Sequence, residues 1–245
     1  MMTQPQWTSR AAQAAADLGR AIVSGRYPPG TAMPREAELA ASMGVSRNTL
    51  REAVKVLASK SLVQVAPRRG TVVLDPARWN VLDPDVLDWS DVGLAGDMAL
   101  VEELMETRAA IEPAAAAAAA LQGAPHDRAA VRAAWEAMAA LAHCDDIAAK
   151  VETDLAWHVA VAQASGNRFL VSIMGSIAHA LGQHLRMLND VAGNFEGNLN
   201  NHWCVTEAIL ASDAAGARAA MHTLVAQART DTRRMGRGRV RDRAG

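Results

Sequence analysis

A serine that can cap a helix, followed by a regular row of cations, constrains this chain most. In GVSRNTLREAV, residues 44–54, Ser46 can accept from the free N–H groups of a first helical turn. A helix starting there puts Leu50, Ala53, Val54 and Leu57 on one face at i, i+3, i+4 and i+7. Arg47, Arg51 and Lys55 recur four apart and stack on another face. One side is built for a core and the other for an anion or for water. Alone, such a row is a common solvated surface.

The flanking residues make the anion reading specific. PREAELAAS, residues 34–42, predicts a short helix with Pro34 at its first position. Met43-Gly44-Val45 is a tight turn, with glycine supplying the unusual dihedral. After the second helix, apolar runs at Leu62–Ala66 and Thr71–Leu74 flank PRRG, which predicts a β-hairpin with Arg68, Arg69 and Gly70 at its tip. Helix, turn, basic helix and basic hairpin is the winged helix-turn-helix pattern, whose second helix enters the major groove of double-stranded DNA.

Charge supports the same division. The chain of 245 residues has a formal net charge of −1, yet residues 1–75 carry +5, residues 76–228 carry −11 and residues 229–245 carry +5. A basic first part on an acidic body suits a protein of which only one part touches phosphate. The arginine-rich end, residues 233–245, lacks apolar periodicity and reads as a disordered tail, either solubilising or weakly DNA-binding. No apolar run approaches the roughly 18 residues of a membrane span, and the alanine run at 114–120 is too short. Cys144 and Cys204 have no metal-like spacing. A cytoplasmic protein with no membrane partner is expected.

With 4% aromatic residues and abundant alanine, the remainder predicts a mainly α protein. A first helix spans residues 8–25 and ends at Gly25. Residues 76–96 read as a linker carrying one short helix. Six helices are expected from Asp97 onward: 97–121, which Pro113 should bend or break; 127–142; 145–164, with Ile147, Val151, Leu155 and Val159 inward; 168–189; 198–211; and a last one capped by Asp213. VAGNFEGNLNN, residues 191–201, reads as a loop. The expected architecture is an N-terminal winged helix-turn-helix, residues 1–75, and a C-terminal all-helical antiparallel bundle, residues 97–232.

Within the bundle, Asp154 and His158 are i, i+4 on one helix and project together, a pairing that suits a divalent transition metal such as zinc, nickel or manganese. A buried hydrogen-bonded pair is the alternative.

Residues 28–73 resemble the winged-helix domain of GntR-family bacterial transcription regulators. TRAAIEPAAAAAAA, DLAWHVAVAQASGN and HWCVTEAILASDAAGARAAM resemble the FCD effector domain of the FadR subfamily. The linker RWNVLDPDVLDW is similar to that of sugar-acid repressors of the galactonate-operon type. The resemblance implies a homodimer that binds a palindromic operator and is released by a small carboxylate effector such as an aldonate or uronate. It puts Arg35, Ser46, Arg47, Asn48, Thr49, Arg51, Lys55, Arg68, Arg69 and Gly70 at the DNA. The family often has arginine where this chain has Ala37, and Arg35 stands nearby instead. It implies a metal set of Asp154, His158 and His202, whose fourth family ligand, a histidine, is replaced by Leu224. His222 is no substitute, because two residues on a helix turn a side chain by roughly 200°. Arg108 falls at a carboxylate clamp, and His184 and Asn167 join it as effector residues. Three ligands and an open position also describe a catalytic metal site, but no general base stands beside it. A metal-sensing regulator is the other alternative.

Overall fold

The computed structural model describes residues 9–90, 93–189 and 194–242. The first three residues of the expected 191–201 loop and the last three of the arginine-rich tail lie outside the described residues. The chain divides into two compact units, residues 1–93 and 94–245.

In the first unit, α1 (Arg10–Val23), α2 (Glu36–Ser42) and α3 (Arg47–Ser59) surround a core that includes Ile22, Leu39, Leu50 and Leu57. Ser46 caps α3 as expected, its Oγ accepting from Thr49 N at 3.1 Å. Gly44 makes the turn between α2 and α3 at φ +64°, a conformation that costs glycine nothing. Strands β1 (Val63–Ala66) and β2 (Gly70–Val73) pair antiparallel, with Val63 opposite Val73 and Ala66 opposite Gly70. A bridge from Ala32 to Val72 ties the segment before α2 to this hairpin.

Most of the expected linker is folded onto this unit. Helix α4 (Pro84–Asp88) buries Val86 and Leu87, and Trp89 is 2% exposed. Lys60, the C-terminal cap residue of α3, places Nζ 2.7 Å from both Asp83 carboxylate oxygens and 2.8 Å from Asp85. Burial opposes the Lys60 charge, but the two carboxylates outweigh it and raise its pKa.

The second unit is a bundle of α5 (Met98–Gln122), α6 (Pro125–Ala139), α7 (Ile147–Ala164), α8 (Arg168–Asn189), α9 (Asn194–Leu210) and α10 (Ala214–Asp242). Four expectations are corrected here. Pro113 does not break α5, which continues to Gln122. Its neighbours Ala115, Ala116, Ala119 and Ala120 are buried, so packing offsets one missing backbone donor.

The buried stripe of α7 is Val151, Asp154, Trp157, His158 and Val161, whereas Leu155 and Val159 are only half-buried. Residues 194–201 are helix and not loop. Phe195 is 5% exposed, and Lys150 Nζ lies 4.8 Å from its ring centre and 3.1 Å from Glu196 Oε1, which holds a first turn that its asparagines and glycine do not favour. Residues 233–242 of the arginine-rich tail prolong α10. Arginine is a good helix former, the preceding turns supply the nucleus, and Arg233 reaches Glu102 of α5 at 2.6 Å.

Gly19 of α1 has no room for a side chain, since a Cβ there would stand 2.1 Å from the Trp89 ring. Gly19→Ala is therefore expected to destabilise the first unit by about 1–3 kcal/mol, the usual range for overpacking. Urea denaturation of the variant checks this; unchanged stability would show that Trp89 yields freely.

Candidate functional site

Every cation proposed for DNA is exposed: Arg35 before α2, Arg47, Arg51 and Lys55 on α3, and Arg68 and Arg69 on the hairpin tip. Asn48 is exposed, and Thr49 Oγ1 lies 2.8 Å from Ser46 Oγ. Arg68 adopts φ +64° and Gly70 φ +76°, so the tip is a tight reversal that turns both arginines outward. Two acidic residues matter here that the sequence reading passed over. Arg51 Nε pairs with Glu36 Oε2 at 3.0 Å, and Lys55 Nζ with Glu52 Oε1 at 2.8 Å. Such exposed pairs are weak and screened, so phosphate can replace them at little cost.

In the second unit, α5, α7, α8, α9 and α10 converge on a cavity of about 20 Å³, room for about one water or ion. Asp154 and His158 enter from α7 and His202 from α9, all nearly fully buried. His158 Nε2 and His202 Nε2 each stand 3.3 Å from Asp154 Oδ1. His202 Nδ1 is 2.8 Å from the Asn198 carbonyl oxygen, to which only a protonated Nδ1 can bond. In the neutral ring that leaves Nε2 with its lone pair toward the cavity. The helical turn from Asn198 to His202, inside the helix expected from residue 198, therefore sets this tautomer. Trp157 wedges behind both imidazoles, edge-on to His158 and His202 at 5.0 and 4.6 Å between ring centres, with its Nε1 donating to Thr206 Oγ1 at 3.0 Å.

Arg108 lies beside these groups and is 1% exposed. Its Nε donates to Glu112 Oε1 at 2.6 Å, and Nη2 lies 3.4 Å from Glu112 Oε2. Nη2 also points at His158 Nε2 (3.3 Å), and Nη1 at His184 Nδ1 (3.4 Å). Arginine can only donate, so both imidazole nitrogens accept. His184 must then donate from Nε2 to Thr232 Oγ1, 2.8 Å away on α10. Burial first, and then the Arg108 charge, lower the His184 pKa to about 3, which agrees with a neutral ring.

Glu112 is the functional residue that sequence reasoning missed. Its signal was present, four residues beyond Arg108 on the same helix. Its Oε2 stands 3.0 Å from His158 Nδ1, off the direction of the ring N–H. Burial raises the Glu112 pKa, but Arg108 and His158 outweigh it and the value falls to about 2. Asp154 is also held well below the usual carboxylate range: burial opposes this, while His202 and His158 prevail. For His158, burial pulls the pKa down, yet Glu112 and Asp154 push it above the ordinary histidine value, so Nε2 accepts from Arg108 only in the neutral ring, which is also the form that can coordinate a cation.

Asp154 Oδ1 and His202 Nε2 are buried without a hydrogen-bond partner among the described residues. An oxygen and two imidazole nitrogens within 4.8 Å of one another fit a divalent transition metal, with Glu112 behind His158 as the outer carboxylate. Leu224, 3% exposed, occupies the cavity wall on the buried stripe Ala217, Met221, Leu224 and Ala228, as expected, and His222 is exposed. Asn167 is not brought to the site. It is exposed at the other end of α8, about 25 Å along the helix from His184, and its Oδ1 accepts from Phe169 N at 2.9 Å.

A basic winged helix followed by a helical bundle around a polar cavity is the layout of a ligand-responsive DNA-binding regulator. The chain belongs to the gntR family of bacterial regulatory proteins, whose model matches residues 10–73, and an FCD domain matches residues 103–227. The family and the relatives are transcription regulators, not enzymes. The chain is 33% identical over 224 residues to the galactonate operon transcriptional repressor of Escherichia coli K12, covering 89% of this chain and 93% of that protein. It is 31% identical to the putative L-lactate dehydrogenase operon regulatory protein of the same organism, covering 84% and 80%. Among solved structures, the regulator Lar of Listeria monocytogenes shares the fold, with a TM-score of 0.66 at 19% identity over 96% of this chain and 99% of that one. No described helix is long and apolar enough to cross a membrane.

Because Glu112 titrates lower in the folded chain than its ordinary 4.5, its contribution to stability is present above about pH 4.5 and is lost as pH falls toward 2. Glu112→Gln should lower stability at neutral pH and flatten the loss between those limits. Thermal melts across that range test it, and an unaltered acid slope would show that the Glu112 charge contributes nothing.

Proposed function

We propose that the protein is a repressor that binds a palindromic operator as a homodimer and is released by a small carboxylate effector of the sugar-acid class. The cavity carries this reading: three electron-rich ligand atoms face it together with a buried guanidinium. Asp154, His158 and His202 would hold a metal, which supplies a Lewis-acid anchor for the effector's carboxylate and hydroxyl oxygens. Leu224 leaves vacant the place where the family often has a fourth ligand. Arg108 would receive a carboxylate oxygen. The galactonate repressor relative and a second relative, the uxu operon transcriptional regulator of Escherichia coli K12, 31% identical over 62% of this chain, support the sugar-acid class.

The cavity's size supports coupling to DNA. At about 20 Å³ it has room for about one water or ion, so in this reading an aldonate enters by enlarging it. Binding energy then favours an expanded bundle, and an effector releases DNA only to the extent that it prefers that state.

At the DNA, Arg51 would read a base edge and Arg68 and Arg69 would enter the minor groove. Arg51→Ala should weaken operator binding by roughly 1–3 kcal/mol, and Arg68→Ala should reduce the salt dependence by about one phosphate. Wild-type affinity of both variants in a mobility-shift assay would sink the winged-helix role. Leu224→His should tighten zinc, nickel or manganese binding while weakening release of operator by aldonates or uronates, read by calorimetry and by mobility shift. A variant that binds metal no better and responds as before would exclude effector chelation at that position.

A further inference from the structure

The five N–H groups of Arg108 are all directed at acceptors among the described residues: Nε and Nη2 at Glu112, Nη2 also at His158 Nε2, and Nη1 at His184 Nδ1 and, at 3.9 Å, Met105 Sδ. The contact with His158 is the telling one. His158 Nε2 is the nitrogen that faces Asp154 Oδ1 at 3.3 Å in the ligand triad. One lone pair cannot both accept from a guanidinium and coordinate a cation. If His158 coordinates, Arg108 loses an acceptor while remaining buried. A buried N–H without an acceptor is unfavourable, and Arg108 lines the cavity, so the vacated donor needs an oxygen there.

A second donor waits at the same cavity. Asn189, on the last turn of α8, lines it with a buried Nδ2 that has no partner among the described residues. Residue 189 was not singled out from sequence, because an asparagine at a helix end reads as an ordinary terminator.

We propose that Arg108 is a partner-switching residue: it donates to His158 Nε2 in the metal-free protein and, once that nitrogen coordinates, donates together with Asn189 to an oxyanion. The inference rests on reading the cavity as the effector site and adds how its two occupants communicate. Metal and anion then bind cooperatively. By linkage the factor by which the anion tightens the metal equals the factor by which the metal tightens the anion. The protein is thereby arranged to respond to the carboxylate more readily when metallated, and the released N–H selects an anionic oxygen over a neutral one.

Zinc titration calorimetry of the full chain, with and without gluconate or acetate, tests this. Gluconate should tighten zinc binding about tenfold, within the usual span of such couplings; complexation of zinc by gluconate in bulk solution acts in the opposite direction and cannot mimic it. Asn189→Leu should bind zinc alone as the wild type does and lose most of that enhancement. Arg108→Met combined with Glu112→Gln removes the buried pair together, avoiding a lone charge. Because Glu112 stands behind His158, this variant should bind zinc alone more weakly, by up to about 10–100-fold, but the enhancement by gluconate, read as the ratio of the two affinities, should fall to about onefold. Zinc binding that is equally tight with and without either anion would overturn the exchange while leaving the metal site standing. Full enhancement in both variants would also overturn it. A wild-type chain that takes up no zinc overturns both the exchange and the metal-anchored effector site.

Discussion

The bundle depends on one buried ion pair. Arg108 and Glu112 sit one turn apart on α5, both 1% exposed. Such a pair is tolerated only when its remaining donors and acceptors are satisfied, because each charge alone would carry a desolvation penalty of several kcal/mol. The histidines complete it. His158 on α7 lies against both partners, and His184 on α8 passes the network to Thr232 on α10. Four helices are thus joined through polar contacts at their centre, where a bundle would ordinarily be apolar.

That arrangement makes occupancy of the cavity a matter for the whole bundle. A network centred on Arg108, whose donors are all directed at acceptors, cannot accept a new ligand there without some member changing partner, and its members come from four helices. Packed interiors respond by shifting between discrete arrangements and not by smooth deformation. Apolar side chains Leu185, Leu188, Phe195 and Leu224 close the rest of the cavity, so the polar contacts are concentrated on one side.

The winged unit follows the opposite rule. Its functional charges are on the surface, and two of them, Arg51 and Lys55, pair with acids that are themselves exposed, so they are held in place without being committed. Its buried charge, Lys60, is used for assembly: it fastens the end of α3 to Asp83 and Asp85, while Trp89 fills the space that Gly19 leaves open. The recognition helix and the segment that follows the wing therefore form one body.

Local chemistry was legible in the sequence where a residue acts on its own neighbours. Ser46 caps, Gly44 turns, Leu50 and Leu57 repeat with the helix, and the PRRG tip closes a hairpin, because each depends on groups within a few residues. Asp154 and His158 could be paired for the same reason, being one turn apart. What depended on other helices was not legible. Residues 194–201 carry weak helix formers, and their conformation is decided by Phe195 entering the core and Lys150 meeting Glu196. Pro113 lacks one donor, but the buried alanines that follow it keep α5 continuous. Glu112 was hidden in an alanine-rich run, and its importance arises only when α7 and α8 bring His158 and His184 to its partner. Sequence periodicity records which face of a helix is buried; only tertiary packing decides which charge meets which imidazole, since that depends on distances between helices that no local spacing encodes.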